Sequence, residues 1–480
     1  IKEKIMSVIL EKLKNNKIFK ASAGYTIGNY LLRGLGFITV PIFSRLLSTA
    51  DFGIYNTFMS YEGILYLCIG LALHSSIKNA KYSIGQDKLD EYTSSISIIQ
   101  IIMAVIFLIV GNLIAPFLMN SLNLDRLQVC LLVILSLCTS ILYLYQARLV
   151  LDYDTREYLG LSYFNALTSV VFSIVLIVCV FPNERYLGRI WGSVLPMILV
   201  SIWILYRLYT KQRPKINVNY WKFGLKISIP IIPHGIGQVI LTSFDRIMIT
   251  NIVGAAEAGL YSFAYTIYSI IFVAGNSLTT VFEPWAFEKL ASGETKELQK
   301  RSALFIGGLA VICAGTMLVT PELVLILGSK KYLAAIPAIP PVLFGGFFAM
   351  AYSMPSIIEY YYQKTTNIAI GTAIAAGLNV VLNAVMIPRF GYVAAAYTTL
   401  ASYIVYYIFH SIMAKKICGY NIVPIRVSIG AIILLSVSSY ITLEFSENIF
   451  ARYLLGVVIV VLVAILMWKM YRNNKKVEKQ

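Results

Sequence analysis

Residues 21–79 read ASAGYTIGNYLLRGLGFITVPIFSRLL, then STAD, then FGIYNTFMSYEGILYLCIGLALHSSIKN. The two apolar segments that flank the short turn are each long enough to cross a lipid bilayer as a helix. Arg33 lies near the middle of the first segment, and Glu62 lies inside the second. A charged side chain at such a depth is costly in hydrocarbon and therefore favours a functional role. The stretch predicts a transmembrane helical hairpin that carries charge within the membrane.

The composition of the 480-residue chain is that of a membrane protein. Hydrophobic residues make up 58% and charged residues only 13%, which is too little charge for the surface of a soluble protein of this size. The alternating ten-residue pattern of an outer-membrane barrel is absent from the sequence. The first apolar run is also too long for a cleavable signal peptide, so we expect none. These features predict an all-α protein with many membrane spans.

The net charge of +17 is compatible with a nucleic-acid partner, but the bilayer explains it better. Lysines and arginines hold loops on the cytoplasmic side of a membrane, and most of the 40 fall in alternate loops of the predicted topology. We therefore expect cytoplasmic N- and C-termini, an even number of spans and no nucleic-acid partner. The six cysteines lie in or beside apolar runs without a CxxC pair, which predicts neither disulfides nor a metal site.

Fourteen spans are expected. Their positions are about 21–47, 53–77, 92–118, 127–147, 158–181, 188–208, 223–253, 259–287, 301–320, 335–361, 366–387, 392–414, 424–443 and 449–469. They group into a first lobe of six spans and a second lobe of six, followed by an extra pair. The predicted parts are an amphipathic cytoplasmic N-terminus at 1–20, the lobes at 21–208 and 223–418, a cytoplasmic linker at 209–222, and spans 13 and 14 with a basic tail at 419–480.

An internal repeat supports this grouping. At a shift of 206 residues, Lys20 and Ser22 align with Lys226 and Ser228, and the turn 50–55 (ADFGIY) aligns with 256–261 (AEAGLY). Both halves begin on the cytoplasmic side because six is even. The repeat is therefore parallel, which predicts a pseudo-twofold axis along the membrane normal.

Two motifs resemble a known family, the bacterial polysaccharide repeat-unit flippases of the multidrug/oligosaccharidyl-lipid/polysaccharide exporter superfamily. Residues 45–56 (RLLSTADFGIYN) resemble the signature of the first helix pair, and residues 379–399 (NVVLNAVMIPRFGYVAAAYTT) resemble that of spans 11 and 12. The usual glycine before the two alanines is Ala394 here, one small residue in place of another. Both motifs consist of turns and small residues that let helices pack closely. They identify the family without naming a substrate.

The resemblance implies a fold and a function. The fold would be a V-shaped bundle of two six-helix halves. The function would be alternating-access export of undecaprenyl-diphosphate-linked oligosaccharide to the outer leaflet of the bacterial cytoplasmic (inner) membrane, for O-antigen or capsule synthesis. The expected partners are that lipid-linked oligosaccharide, the phospholipid bilayer, and a polysaccharide polymerase with its chain-length proteins. The resemblance implies no enzymatic activity and no cofactor.

Arg33 is the residue that we expect to bind such a cargo. A diphosphate cannot cross hydrocarbon without a polar, cationic path, and the planar guanidinium makes paired charge-assisted bonds to phosphate. Glycines surround Arg33, and Pro41 allows a bend. The alternative is a structural ion pair with Glu62. The repeat places Val239 at the position equivalent to Arg33, so the charge is not duplicated, as a single anionic cargo would require.

Further residues are expected to line the substrate cavity, either as cations or as aromatic rings that stack on sugars. They are Arg246, Arg148, Lys78, Tyr25 and Tyr30. The ordinary alternatives are interfacial snorkelling for the cations and the interfacial aromatic belt or the helix core for the tyrosines.

Four acids within predicted spans are candidates for binding a coupling H⁺ or Na⁺: Glu62, Asp245, Glu283 and Glu359. The sequence does not choose among them. Pro230 and Pro233 interrupt the start of span 7 and predict a hinge, the alternative being an ordinary proline kink.

Three other functions stay open. A lipid II flippase would handle the same diphosphate carrier. A cation-coupled multidrug antiporter would place acids rather than arginines in its cavity. A membrane polysaccharide polymerase or ligase would be an enzyme, but even the longest expected loops have only about fifteen residues, and they hold no HExxH motif.

Overall fold

The computed structural model describes residues 17–122 and 124–459, and within these ranges the chain forms helices and no β-strand. The prediction of an all-α membrane protein is therefore confirmed. Most of the amphipathic segment predicted at 1–20 lies outside the described residues. The basic tail and the second half of the last predicted span lie outside them as well.

Two compact units make up the chain, residues 1–259 and residues 260–480. Unit 1 contains the following described helices, numbered in chain order: α1 (Lys17–Leu46), α2 (Thr49–Gly70), α3 (Leu73–Ser83), α4 (Leu89–Leu113), α5 (Ala115–Leu122), α6 (Arg126–Asp152), α7 (Thr155–Val180), α8 (Arg185–Lys211) and α9 (Val218–Ile252). This division therefore assigns α9 to the same unit as the helices that precede it. The lobe boundary predicted at 209–222 was based on the internal repeat rather than on compactness. It stays a prediction.

Unit 2 begins inside α10 (Ala255–Ser292). Its other described helices are α11 (Thr295–Leu318), α12 (Thr320–Leu327), α13 (Lys330–Tyr361), α14 (Thr365–Phe390), α15 (Tyr392–Cys418), α16 (Ile425–Glu444) and α17 (Ile449–Ile459).

Among the described residues, eleven helices are long and apolar enough to cross a membrane, and α2 with α3 makes a twelfth span if the two count as one. These twelve coincide with predicted spans 2 to 13. Predicted span 1 coincides with α1, which has 30 residues but is not among the eleven, and α17 covers the described part of span 14. The total of fourteen stays a prediction, as does the pseudo-twofold symmetry.

The second predicted span is not one straight helix. The angle between α2 and α3 is 51°. Leu71 and Ala72 lie between them and both have a φ of 48°. A right-handed helix cannot continue through two left-handed residues, and residues with a Cβ rarely adopt this conformation. The span predicted over 53–77 is therefore bent at this point, where the sequence shows no proline.

Helix α9 keeps its length across Pro230 and Pro233 but changes its winding. Its regular turns end at Ser228, a 3₁₀ turn covers Ile229–Ile231, and a π turn covers Ile240–Phe244. Proline has no N–H to donate, so the regular hydrogen-bond ladder cannot run through these positions. This local irregularity is compatible with the predicted hinge, whose motion stays a prediction.

The turn between α1 and α2 is held by side chains of the first family motif. The Ser48 hydroxyl accepts from the Asp51 N–H at 3.0 Å, and the Asp51 carboxylate accepts from the Ser48 N–H at 3.1 Å, which forms a capping box. The other carboxylate oxygen accepts from the N–H of Tyr186 at 3.3 Å. Arg185 donates to the carbonyl of Leu46 at 2.7 Å. The motif therefore fixes the start of α8 against the end of α1.

The first turns of α2 and α10 contact each other through glycines. A Cβ built on Gly53 would overlap the carbonyl oxygen of Ala255, and one built on Gly259 would overlap the carbonyl oxygen of Thr49. Gly53 and Gly259 are equivalent at the 206-residue shift, and so are Thr49 and Ala255. The contact is reciprocal, as a twofold relation between these two helix starts requires.

Candidate functional site

The carboxyl group of Glu62 lies inside unit 1 and has no charged partner among the described residues. The residue is 7% exposed, and its Oε1 has no hydrogen-bond partner in the part of the chain that the structure describes. Thr139 of α6 lies beside the carboxyl group, because α2 and α6 pack along much of their length. A buried oxygen without a donor costs about 1–3 kcal/mol. A bound ligand that donates a hydrogen bond would remove that cost.

Aromatic rings connect Glu62 to the surface of unit 1. Tyr66 and Tyr143 are the tyrosines within electrostatic range of its carboxyl group, and their rings meet edge to face at 5.4 Å. The His74 ring lies 6.0 Å from Tyr143, which is 41% exposed. The sequence singled out Glu62 but missed Tyr66 and Tyr143. Tyr66 lies four residues after Glu62, so the two side chains are neighbours on one face of α2. This spacing could have indicated Tyr66 from the sequence.

Arg33 is exposed on α1. A Cβ built on the adjacent Gly34, or on Gly36, would meet no atom within 4 Å, so this side of the helix is open. Glu62 is buried and, within the described residues, forms no salt bridge, so the alternative ion pair with Arg33 is not formed. An exposed guanidinium in mid-span favours a wet or ligand-bearing side of the helix over lipid. Its contact with substrate stays a prediction.

The structure does not bring Arg148 and Lys78 into one patch of free cations. Arg148 is 7% exposed and forms salt bridges with Asp90, at 3.2 Å, and with Asp152. Two carboxylates compensate its charge, which indicates a structural role at the ends of α4 and α6. Lys78 is exposed on α3. Substrate binding by either residue stays a prediction.

Tyr25 contacts neighbouring helices rather than an open cavity. Its hydroxyl donates to the carbonyl of Leu149 at 3.4 Å, and its ring meets Tyr158 edge to face at 5.0 Å. These contacts attach α1 to α6 and α7. Tyr30 is half-buried on the same helix. Stacking of either ring on a sugar stays a prediction.

Asp245 and Arg246 differ in burial although they are neighbours in α9. Asp245 is fully buried, whereas Arg246 is half-buried and donates to the carbonyl of Thr242 at 2.9 Å. Close by, the hydroxyls of Thr57 and Thr250 are 2.6 Å apart and join α2 to α9. The ion-coupling and substrate roles of this pair of charges stay predictions.

Arg189, in the first turns of α8, is a cation that the sequence analysis did not single out. Its guanidinium lies 4.0 Å from the centre of the Phe43 ring and 4.5 Å from that of Tyr55. It donates to Ser173 at 2.7 Å and, more weakly, to Ser193 at 3.4 Å. Cation–π contacts and hydroxyls thus hold its charge where four helices meet. In the sequence, the spacing of four residues between Arg189 and Ser193 could have indicated that the two side chains contact each other along α8.

A cavity of about 550 Å³ opens in unit 1 near the first turns of α2 and α6. Polar groups on its wall include Tyr61, Asp125, Gln128 and Thr250. Asp125 and Gln128 already form the capping box of α6, so their polar atoms are engaged. The residues predicted to bind substrate are not part of this wall.

Unit 2 holds a second buried acid with an unexpected partner. Glu359 of α13 and His410 of α15 are both fully buried, and Oε2 of the glutamate lies 2.7 Å from Nδ1 of the histidine. A cavity of about 170 Å³ lies beside them and is lined by Glu283, Tyr352 and Tyr360, among others. Glu283 and Glu359 were expected as candidate acids. His410 was missed, because its pairing joins residues 51 positions apart.

Comparison with known proteins gives the family. Residues 18–289 match the family described as polysaccharide biosynthesis protein. A membrane protein of Methanocaldococcus jannaschii is 21% identical over 430 residues, which is 84% of each chain. The capsular polysaccharide biosynthesis protein CapF of Staphylococcus aureus is 26% identical over 303 residues, covering 60% of this chain and 71% of CapF.

Several solved structures share the fold, and two of them are described here in turn. The lipid II flippase MurJ in an inward closed conformation aligns with a TM-score of 0.69 at 16% identity, over 94% of this chain and 99% of MurJ. An inward-facing multidrug transporter of the MATE family aligns with a TM-score of 0.60 at 13% identity, over 79% of this chain and 98% of its own. The protein therefore belongs to the polysaccharide biosynthesis protein family and has the fold of the multidrug/oligosaccharidyl-lipid/polysaccharide exporter superfamily.

Proposed function

We propose that this transporter moves undecaprenyl-diphosphate-linked oligosaccharide repeat units from the cytoplasmic to the outer leaflet of a bacterial cytoplasmic membrane. The observation that carries the proposal is the family match over residues 18–289, on a fold that a lipid II flippase shares along 94% of the chain. The likeness to a capsular polysaccharide biosynthesis protein supports a cell-surface glycan as the product. Such a flippase would supply a polysaccharide polymerase and its chain-length proteins.

The charges of unit 1 support an anionic cargo and rank the residues that would bind it. Arg148 is neutralised by two carboxylates, whereas Arg33 is exposed in mid-helix and Lys78 is exposed on α3. A guanidinium offers two parallel N–H bonds to a diphosphate, while an ammonium acts as a point charge. Arg33 is therefore the residue we assign to the diphosphate.

The membrane potential favours outward movement of such a cargo. A charge of about −2 that moves outward across 100 mV, inside negative, gains roughly 4–5 kcal/mol at about 2.3 kcal/mol per charge. That energy can bias export before any ion is coupled to it.

The test is complementation of a strain that lacks its own repeat-unit flippase. We expect Arg33→Ala to lower surface polysaccharide at least tenfold at equal protein level in the membrane, because the diphosphate loses its paired donor. Arg33→Lys keeps the charge without the planar fork, so we expect a partial loss. Surface polysaccharide is quantified by immunoblot and normalised to the amount of membrane protein.

The matched control is Arg301→Ala. Arg301 is an exposed arginine of α11 that forms a surface ion pair with Glu297, and such pairs contribute little. Its removal should leave export unchanged. Full export by Arg33→Ala would overturn the assignment of Arg33. Failure of the wild-type protein to complement flippase-deficient strains of several glycan types would overturn the proposed function.

A lipid II flippase is the second candidate, because the solved structure of the lipid II flippase MurJ aligns over 94% of this chain. Rescue of a strain depleted of its lipid II flippase, without rescue of polysaccharide export, would establish that function instead. Proton-dependent efflux of cationic dyes would support a multidrug antiporter. Polymerisation of the lipid-linked repeat unit by the purified protein would reveal an enzyme.

A further inference from the structure

We propose that the cavity of about 170 Å³ in unit 2 binds one neutral sugar unit of the lipid-linked glycan. Glu283 accepts hydrogen bonds from the sugar hydroxyls, and the Tyr360 ring packs on the C–H face of the sugar. This inference rests on the proposed function and deepens it, because it gives the glycan a site of its own while Arg33 binds the diphosphate. It also replaces the ion-coupling role expected for Glu283 with a role in substrate specificity.

The cavity lies between α10 and α13, next to a point where these two helices pack closely. A Cβ built on Gly275 would lie 2.8 Å from the Met350 side chain, so the helices leave no room for a side chain on α10 there. Polar residues of the cavity wall follow on both helices: Asn276, Thr279 and Glu283 of α10, and Ser353, Ser356 and Tyr360 of α13. The whole wall thus comes from two helices of one unit.

The cavity lies toward the helix ends that the positive charges predict to be cytoplasmic. Helix α10 ends at Ser292, and α13 ends at Tyr361, directly after Tyr360. Lysines follow the end of α10 at positions 296 and 300, as expected of a cytoplasmic loop. A repeat unit whose glycan is still in the cytoplasm would therefore meet this cavity before it is exported.

The aliphatic hydroxyls of the wall present lone pairs rather than hydrogens. Thr279 donates to the carbonyl of Gly275 at 2.9 Å, and Ser353 donates to that of Met350 at 2.6 Å. Ser356 donates to the carbonyl of Ser353 at 3.0 Å. A hydroxyl has one hydrogen and two acceptor lone pairs, so these groups can only accept from a ligand. The ligand must therefore supply hydrogens, as a polyhydroxylated sugar does.

The carboxyl group of Glu283 adds acceptors that no cation compensates. The residue is half-buried on the cavity wall and forms no salt bridge within the described residues. Hydrogen bonds to an ionised carboxylate are roughly twice as strong as those between neutral groups, which favours sugar hydroxyls as donors. An acidic sugar or a phosphate would place a second negative charge beside Glu283, and such like charges repel each other. The site therefore favours a neutral sugar over a uronic acid.

Tyrosine rings flank these acceptors. Tyr360 is 46% exposed, and its phenol lies within electrostatic range of Glu283. Tyr352 also lines the cavity, and the Tyr406 ring packs against it at 4.5 Å. One face of a pyranose ring consists of C–H groups, which pack on an aromatic face as other apolar groups do. A ring beside a set of acceptors therefore matches both surfaces that a sugar presents.

The size and composition of the cavity fit one sugar better than a metal ion. Within the described residues, no group of three or more histidine, cysteine or acidic side chains could hold a metal. The volume of about 170 Å³ corresponds to about six waters at about 30 Å³ each. A single hexose takes up a similar space. One sugar unit therefore fits, and the rest of the repeat unit stays outside the cavity.

The first test measures sugar binding by the purified full-length protein in lipid nanodiscs. Saturation-transfer difference NMR compares methyl glycosides of the common neutral hexoses and N-acetylhexosamines with the methyl glycoside of glucuronic acid. We expect at least one neutral glycoside to bind and the glucuronide to bind about tenfold more weakly, because of the charge on Glu283. Absence of binding by every neutral glycoside would overturn the proposal, and so would preferred binding of the glucuronide.

Glu283→Gln tests the acceptor and the selectivity together. A neutral amide replaces the charged acceptor, so we expect the affinity for the neutral glycoside to fall about tenfold. The preference over the glucuronide should also become smaller, because the repulsion is lost. A merely structural role of Glu283 would leave that ratio unchanged. Unchanged affinity and unchanged selectivity would overturn the proposal.

Two substitutions of Tyr360 separate stacking from hydrogen bonding. Tyr360→Phe keeps the ring and should retain most of the sugar binding, whereas Tyr360→Ala removes the ring and should weaken binding about tenfold. Equal affinities of the wild type and both variants would overturn the stacking role.

Glu288→Gln and Tyr440→Ala are the matched controls. Both residues are exposed in unit 2 and lie outside the cavity wall, and Glu288 is on the same helix as Glu283. Their substitution should leave sugar binding unchanged. Thermal melting shows whether each variant is folded. If Glu283→Gln does not fold, the comparison of Tyr360→Phe with Tyr360→Ala decides.

The same melting measurement identifies a cation site. A melting temperature that Na⁺ raises in the wild type but not in Glu283→Gln, without sugar binding, would overturn the proposal. A melting temperature that the bound glycoside raises, independently of Na⁺, would support it.

A second test distinguishes this site from the proposed function. In complemented cells whose repeat unit is neutral, Glu283→Gln and Tyr360→Ala should lower export at equal protein level. If the wild type and both variants export equally well, the sugar site is overturned and the proposed function stands. If the wild type does not complement but binds the neutral glycoside in nanodiscs, the proposed function is overturned and the sugar site stands.

Discussion

At the scale of single residues, buried charges in this protein fall into two groups. Arg148 and Arg452 are compensated: the first by Asp90 and Asp152, the second by Glu322 and backbone carbonyls. Compensated charges of this kind hold helices together, and removal of one partner typically costs about 3–5 kcal/mol. Glu62 and Glu359, in contrast, form no salt bridge with a lysine or an arginine within the described residues. The lack of a compensating cation, rather than burial alone, therefore distinguishes the candidate functional acids from the structural charges.

The glycine contact gives a stability prediction at this scale. We expect Gly53→Ala to lower the melting temperature, because its Cβ would overlap the backbone of Ala255, and overpacking costs about 1–3 kcal/mol. Gly34→Ala is the matched control on the preceding helix. Its Cβ would meet no atom, so the helix should gain up to about 1 kcal/mol. Thermal melting of both variants in the same detergent measures their melting temperatures. Equal shifts of the melting temperature in the same direction would contradict the packing argument.

At the scale of helices, two departures from regular winding lie where the sequence analysis placed functional residues. The bend between α2 and α3 brings His74 and Lys78 onto a separate short helix. In α9, Pro230 lies within the 3₁₀ turn, and Pro233 lies in the short regular stretch between that turn and the π turn. Regular spans such as α6 and α15 instead provide the packed surfaces. Irregular backbone within a membrane protein is tolerated where neighbouring protein or water satisfies it.

The bend gives a prediction for backbone strain. Ala72 has a φ of 48° and is 1% exposed, so Ala72→Gly removes an unfavourable left-handed alanine and only one methyl group. We expect a gain of about 1 kcal/mol or slightly less. The control, Ala104→Gly, replaces an equally buried alanine in regular α4 and should cost about 1 kcal/mol. Chemical unfolding in mixed micelles measures both, and a loss at position 72 equal to that at 104 would contradict strain at the bend.

At the scale of the whole molecule, the positive charges predict which ends of the helices face the cytoplasm. The loop between α3 and α4 should be cytoplasmic, and the loop between α7 and α8 should face outward. In a variant without the six native cysteines, Asn183→Cys should react with a membrane-impermeant maleimide in intact cells. Asp87→Cys should react only after lysis. Both positions are exposed. The reverse pattern would contradict the orientation and with it the predicted cytoplasmic termini.

The sequence by itself determined the class, the span positions and the family. Apolar run length sets where a helix can cross a bilayer, and this is a local property that short motifs and turns reinforce. That is why twelve predicted spans coincide with described ones and why residues 45–56 indicated the family. The distribution of lysines and arginines also predicted which loops face the cytoplasm, and the fold alone does not give this orientation.

Only the tertiary structure decided which charges are compensated. Arg148 could be read as a binding cation until Asp90, 58 positions earlier in the chain, was found beside it. Glu359 was one of four candidate acids until the structure placed His410 beside it on a neighbouring helix. Arg33 and Glu62 were predicted at similar depths in the membrane, but they do not form an ion pair. Which side chains pair across two helices depends on how those helices pack and rotate against one another. The hydropathy of a single segment does not determine that packing.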